Sequence, residues 1–406
     1  MIHEVIRLFG LLYISLFIIS AFNFGPQHPS THGVLRLITI LFGETVKWLV
    51  VEIGLLHRGT EKLIDLYYLN SSIPYFDRFD YVSVISQELL FIHSLERLLT
   101  LSVSFYDSII RSLFLEFYRI LNHLLAITTH AIDIGLFTTM LWSFEEREKL
   151  IDMIEGSTGN RFHAAYLLLS RLRYDISLRW IECLFYWLIH FTRKLKEIYI
   201  ILSGSRLWIN RLFDIGFIER DYVLYFGLTG LLSRSANIWI DGRLLGYECY
   251  QNFNYSIFLG NSSDCLDRYI LRFNEMIESS RFIYSIMHIL FNELANSFCS
   301  CVYSYSSFSI MELLISTFLI TFPFILSFIN SLRLSIESSK GIYSIYVGCF
   351  PYWTTYIISN DFLVIGQLNK FCRCINLGDI ITLLGSIDFV LGSIDGSGLL
   401  GILFLL

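Results

Sequence analysis

The chain has 406 residues, 54 % of them hydrophobic, 16 % aromatic and only 16 % charged, where an ordinary soluble domain carries roughly a quarter charged residues. That composition excludes a disordered or collagen-like chain, and the length suffices for two or three domains around a large buried core. Thirty basic against 36 acidic side chains leave a formal net charge of -6, so no basic footprint points to nucleic acid.

In chain order, the first element is apolar. Residues 8–24 are uncharged, a candidate membrane span that is short for one. The run lacks the basic start and small-residue cleavage site of a signal peptide and the arginine-rich pattern of a transit peptide, so an imported precursor is not indicated and synthesis in the compartment of use is expected. Two β-branched runs follow, Val34–Phe42 and Thr45–Val51, joined at Gly43-Glu44; a two-residue connection predicts a β-hairpin. From Thr60 the pattern turns helical, and further helices are expected over about 80–101, 111–131, 143–155, 177–203 and 264–294. Ser143-Phe-Glu-Glu146 reads as a capping box and Gly156 as a stop. Residues 310–406 read as strands and loops punctuated by glycines. Within them Leu313–Leu332 is uncharged and long enough to cross a bilayer, though it contains Pro323, Asn330 and several Ser and Thr. On composition alone, an integral membrane scaffold or transporter subunit is the rival to any soluble reading.

The eight cysteines include the pairs 299/301 and 372/374 but no Cys-x-x-Cys. Such spacing is weak for a metal site, and the thiols are expected to be reduced, buried and apolar in role, with no metal bound by this chain.

Nine of the ten histidines lie in the first 190 residues. Two of them, His28 and His32, sit in the turn-rich loop Gly25-Pro-Gln-His-Pro-Ser-Thr-His-Gly33, which could present an imidazole for proton transfer or merely cap backbone groups. His57 and Arg58 precede the helix at Thr60, where the guanidinium could serve an anionic group or pair with Glu61. In Pro74-Tyr-Phe-Asp-Arg-Phe-Asp-Tyr81 acids, a base and phenols alternate with apolar residues, as in a salt-bridge network or a site. In the run Thr128–Gly135, Asp133 lies three residues after His130, so the two could share a helix face or serve separate partners. His163 stands among apolar residues after a charged helix face. No nucleophile elbow, P-loop or dinucleotide fingerprint occurs.

These groupings, in this order, resemble the 49 kDa subunit family of respiratory complex I, the proton-pumping NADH:ubiquinone oxidoreductase, also called NADH dehydrogenase subunit 7. The resemblance is carried by Asn23–Leu37, Ile53–Lys62 and Thr128–Gly135, is dense over about 23–166, and continues through Gly227-Leu-Thr-Gly230, Asp264–Tyr269, Glu337–Gly341 and Gly378–Gly392. The family is similar in fold to the large subunit of nickel–iron hydrogenases. Where those enzymes carry Cys-x-x-Cys metal ligands, this chain has Arg78–Ser83 and Asp388–Ser393, without a thiolate, so a hydrogenase reading fails on ligand chemistry.

The resemblance implies an α+β fold with a β-hairpin, a central α-helical bundle and a mixed C-terminal part. It suggests a division into an apolar extension (1–22), a hairpin region with the quinone loop (23–56), a helical core (57–295) and a mixed C-terminal region with an apolar tail (296–406). It implies that His32 and Tyr81 hydrogen-bond the quinone carbonyls, that Asp133 pairs with His32, and that His28 and Asp77 belong to the surrounding network. Arg58, Arg78 and His163 are implied to lie near a 4Fe-4S cluster held by a neighbouring subunit, NAD being bound by a partner subunit as well. It implies ubiquinone as substrate, other complex I subunits as partners (the carrier of the terminal cluster and the membrane-arm subunit at the quinone channel among them), and a peripheral place on the matrix side of the mitochondrial inner membrane. An organelle-encoded chain is expected. Two departures stand out: Leu167–Leu172 replaces the family's Arg-Pro-Gly-Gly turn, and an apolar tail follows Gly392.

Overall fold

The computed structural model describes residues 19–27, 34–66, 69–300, 331–348 and 354–396. His28, His32, residues 8–18 of the first candidate span, 313–330 of the second and the tail from 397 lie outside the described residues. Among the described residues no helix is long and apolar enough to cross a membrane.

The expected hairpin is present and belongs to a three-stranded antiparallel sheet. Strand β2 (Arg36–Phe42) pairs with β3 (Thr45–Glu52) across Gly43-Glu44, and β1 (Ile19–Phe24) adds to the other edge of β2. Gly43 sits at φ +64, where a side chain is strained. Alternation along β2 buries Leu37, Thr39 and Leu41, which turns one face of the sheet to the core. The buried Thr39 hydroxyl donates to the Phe22 carbonyl at 2.9 Å.

Two short helices follow, α1 (Thr60–Leu66) and α2 (Leu69–Phe76), then the almost wholly buried α3 (Val84–Leu98). Helix α4 (Phe105–Ile134) is the central rod. It starts where Ser104 Oγ accepts from the Asp107 amide and stops at Gly135 in the left-handed region, as a helix with a serine cap and a glycine end should. Helix α5 (Phe137–Thr158) begins six residues before the expected capping box. Ser143 is buried within it, Gly156 lies inside it against Trp180, and the left-handed stop is Gly159. In the preceding turn Thr139 is buried and its hydroxyl donates to the Leu136 carbonyl at 2.8 Å, so the helix is already under way when it reaches Ser143.

The departure at Leu167 resolves as a tight hairpin, β4 (Leu167–Leu168) against β5 (Arg171–Leu172), with Ser170 at φ 59. Helices α6 (Leu178–Gly204), α7 (Arg206–Leu212), α8 (Arg220–Phe226) and α9 (Leu231–Ser235) lead to α10 (Cys265–Ser300), which packs along α4 and α6. A second antiparallel sheet follows, β6 (Ser331–Ser338), β7 (Gly341–Gly348) and β8 (Thr354–Ile358), in that order.

The remainder corrects the expectation of strands and loops to the end. Residues 360–396 hold four helices, α11 (Asn360–Gly366), α12 (Leu368–Phe371), α13 (Leu377–Ile387) and α14 (Leu391–Gly396). Their glycines lie within or beside helices that are buried nearly all round, so no polar face advertises the helical period. One apolar core joins α3, α4, α6, α10 and β6–β8. A second lies under the first sheet, where Leu37 and Leu49 meet Leu383, Phe389 and Ile394.

Candidate functional site at the crossing of two distant stretches

The stretches 78–83 and 388–393 meet. Helix α14 passes over the backbone after α2 at Gly392, where a Cβ would stand 2.6 Å from the Phe79 carbonyl oxygen, 3.2 Å from that of Arg78 and 3.4 Å from Tyr81 Cδ1. Only glycine permits that approach. The Tyr81 ring therefore lies against Gly392 with 39 % of its surface exposed.

Behind the crossing is a buried polar cluster. Asp80 Oδ1 accepts from the Val82 and Ser83 amides, both at 3.2 Å, and lies 3.7 Å from Lys340 Nζ. The Tyr343 hydroxyl is 3.3 Å from Asp80 Oδ2 and 3.0 Å from Asp361 Oδ2. Asp361 Oδ2 also accepts from the Val390 amide at 3.1 Å and Ser393 Oγ at 2.8 Å. Burial pushes the Asp361 carboxyl up to about 6. Burial opposes the Lys340 charge as well, but Asp80, Asp388 and Asp361 outweigh it and hold that ammonium above the usual lysine range. Packing raises the Tyr81 phenol; Lys340 pulls it back, while Asp80, Asp388 and Asp361 add to the rise.

On the same 74–81 stretch, Asp77 faces the other way. Its Oδ2 accepts from the Ala165 amide at 3.0 Å, and its carboxyl hydrogen-bonds that of Glu88, whose Oε2 accepts from the Leu167 amide at 2.9 Å. Two carboxyls can bond only by sharing a proton. Burial, with the Asp77 charge, pushes Glu88 well above the ordinary carboxylate range, so the proton belongs chiefly to Glu88. His163 stands beside Asp77. Burial and the Arg78 charge lower its imidazole, Asp77 opposes them, and Arg58 is near enough to add to the lowering. Asp77, Arg58, Arg78 and His163 thus form one electrostatic group.

Arg58 is exposed, and its loop is pinned from the far end of the chain. The Asp395 carboxylate accepts from the Gly54 amide at 2.8 Å and the Leu56 amide at 2.7 Å, and the Asp395 carbonyl meets His57 Nδ1 at 2.6 Å. Glu61, weighed from the sequence as a partner for Arg58, accepts from the Ile357 amide at 3.0 Å through its Oε1.

His130 and Asp133 part company. The His130 ring is buried 5.1 Å from that of Trp208, under Gly385, where a Cβ would stand 2.7 Å from its Cδ2; burial with Arg272 and Arg268 lowers its imidazole to about 3. Asp133 is half-buried on the last turn of α4. The pairing of Asp133 with His32 falls outside the described residues on its histidine side.

Lys340, Tyr343, Asp361, Asp395 and Glu88 had no role in the sequence reading. Single polar residues in apolar runs, they join the site through contacts such as Tyr343 to Asp80, 263 positions apart. The quoted stretch Glu337–Gly341 held the only hint. A separate group, His93, Glu96 and Glu248, brings three possible ligand atoms within 4.8 Å of one another. Arg111 already bonds both glutamates, at 2.7 and 3.2 Å, and Arg97 Nε donates to His93 Nε2, so that group is charge-satisfied.

Residues 133–396 match the family model described as respiratory-chain NADH dehydrogenase, 49 Kd subunit. The chain is 38 % identical over 384 residues to the NADH-ubiquinone oxidoreductase 49 kDa subunit of Acanthamoeba castellanii, covering 92 % of this chain and 95 % of that one. It is 37 % identical over 383 residues to the protein of the same name from Reclinomonas americana, covering 92 % and 96 %. It is 36 % identical to NADH dehydrogenase [ubiquinone] iron-sulfur protein 2 of Arabidopsis thaliana, covering 92 % and 96 %.

Proposed function

The chain belongs to the 49 kDa subunit family of the respiratory-chain NADH dehydrogenase, and from that premise we propose that it supplies the site at which the quinone headgroup is reduced. As an NADH:quinone oxidoreductase subunit it works with other complex I subunits, and it has no activity alone. The observation that carries the proposal is the crossing at Gly392, which leaves a half-exposed phenol over a fixed set of buried charges.

Quinone reduction takes two electrons and two protons. A 4Fe-4S cluster in a neighbouring subunit would supply the electrons. The residues of this chain suit such a neighbour: Arg58, Arg78 and His163 share one corner, and cations and a titratable imidazole complement a thiolate-ligated, anionic centre. Tyr81 is neutral, donates one O–H, and can take a proton back. Lys340 lowers the cost of charge left on Tyr81 after donation. His32, oriented by Asp133, is the second donor in this reading, with His28 in the surrounding network. Asp77, sharing a proton with Glu88, holds the backbone at Ala165 in place. The chain sits peripherally on the matrix face of the mitochondrial inner membrane and is organelle-encoded in this reading, and the assembled enzyme couples the reaction to proton translocation.

The first test is photo-crosslinking of a short-tailed azido-quinone to the intact assembly, with peptide mapping. Label around Tyr81 and His32 that a site inhibitor displaces supports the reading; label confined to other subunits overturns it. Tyr81→Phe is expected to abolish quinone reduction while leaving NADH oxidation by an artificial acceptor intact.

A further inference from the structure

Between the turn of the second sheet and helices α4, α10 and α13 lies a small cavity of about 10 Å³, counted as space open to the centre of a water molecule. One water needs roughly 10–15 Å³ of such space and two to four polar partners. Four residues lining it each carry a buried polar atom without a hydrogen-bond partner: Lys340 Nζ, Arg272 Nε, His123 Nδ1 and Ser339 Oγ. Orphaned buried polar atoms are rare and costly, at about 1–3 kcal/mol each. Four residues with such atoms line one void of this size, and a common partner there explains them together.

Their chemistry selects the occupant. Lys340 Nζ and Arg272 Nε are N–H donors. His123 Nε2 lies 2.9 Å from Glu275 Oε2. Arg234, His123 and Arg119 hold Glu275 ionised against its burial, so the hydrogen of a neutral His123 belongs on Nε2 and its Nδ1 offers a lone pair. Ser339 Oγ can accept. Two donors and two acceptors match the two lone pairs and two hydrogens of a single water. An anion is disfavoured by the His123 lone pair and by Asp361 and Asp388, which line the same cavity.

We infer that one structural water fills this cavity, binds Lys340, Arg272, His123 and Ser339, and thereby holds the Lys340 ammonium where it acts on Tyr81. The inference rests on the reading of Tyr81 as proton donor and adds Lys340 as a positioning residue with Ser339 as its support. The ammonium has an ion pair with Asp80 at 3.7 Å but no direct hydrogen bond. The water supplies that bond and links the Tyr81 side of the molecule to the His123–Glu275 pair between α4 and α10.

The test uses the assembled complex. In an electron cryomicroscopy map that shows ordered waters, a single peak within hydrogen-bond reach of Lys340 Nζ, Arg272 Nε and His123 Nδ1 is expected; an empty cavity overturns the inference. Ser339→Thr and Ser339→Val then add the same volume and differ only in the hydroxyl. The valine variant is expected to lower kcat for quinone reduction on the order of tenfold, the low end for losing a supporting hydrogen bond at a tuned site. KM for quinone and artificial-acceptor activity should stay unchanged, and threonine should retain turnover. Equal turnover in the two variants overturns the positioning role. If either variant fails to assemble, the wild-type map decides alone. Should the water fail while Tyr81→Phe still abolishes quinone reduction, only this inference falls; a fully active Tyr81→Phe removes the quinone-site reading itself.

Discussion

Gly392 and Asp361 show how much single positions decide here. Replacing Gly392 by Ala puts a methyl carbon 2.6 Å from the Phe79 carbonyl oxygen, so backbone must move and Tyr81 with it. Loss of quinone reduction with artificial-acceptor activity retained is the expected result, measured on assembled complex. Asp361 titrates with its folded pKa raised to about 6 from an ordinary 3.8. Its contribution to stability is therefore fully present below the unfolded value and is lost as pH rises through about 6. Hydrogen exchange of residues 388–393, corrected for intrinsic rates, should show weaker protection at pH 7 than at pH 5. Asp361→Asn should flatten that difference, and an unchanged difference in the variant would sink the assignment. Glu88→Ala strips Asp77 of its shared proton and leaves the Leu167 amide unpaired, a cost of about 1–3 kcal/mol, whereas Glu88→Gln keeps a neutral partner and should cost less in thermal unfolding of the complex.

At the scale of elements, helices α4 and α10 are welded by buried charge as well as by apolar contact, with Glu275 Oε2 2.9 Å from His123 Nε2 and 4.0 Å from Arg119 Nη1, and further buried pairs tie their neighbours to them. Arg234 bonds Glu275 at 2.9 Å and Glu337 at 3.0 Å, and Arg243 pairs with Asp241 at 2.8 Å and lies 3.6 Å from Glu116. Breaking such a pair from one side strands a buried charge, and Arg234→Met should destabilise the subunit by about 3–5 kcal/mol, read as a lowered unfolding temperature. The long helices were legible because their apolar stripes run for many turns; α4 and α6 each start at a serine whose hydroxyl accepts the cap bond. The capping box at Ser143 misled because the helix already runs from Phe137, where the buried Thr139 hydroxyl bonds the Leu136 carbonyl, so Ser143 has no free helix end to cap. Helices α11–α14 were illegible for a different reason: buried nearly all round, they show glycine and β-branched residues without a polar face. The site divides likewise. Arg58, Asp77, Arg78, Tyr81 and His163 cluster in sequence with other chemical groups, whereas Lys340 and Asp361 gain meaning only when Tyr343 reaches Asp80 across 263 positions.

For the whole molecule, the high hydrophobic fraction does not end in the core. Tyr225 is 83 %, Tyr186 73 % and Leu141 70 % exposed, more than a chain working alone tolerates when such residues gather. A subunit that meets partners explains them. Expressed without those partners, the chain is expected to self-associate, and size-exclusion chromatography showing a stable monomer would contradict this.

The clamp of Asp395 on the Gly54 and Leu56 amides spans 341 and 339 positions, which sets an order in time. The ribosome makes the Arg58 loop more than 330 residues before its anchor. Until residues 391–396 emerge, the loop amides have no carboxylate and the groove over Phe79 has no cover. A product of premature termination before residue 391 carries the arginines, the phenol and the buried acids, yet leaves them around an open cleft. The arrival of residues 391–396, and not the presence of the chemical groups alone, is what turns this chain into a site.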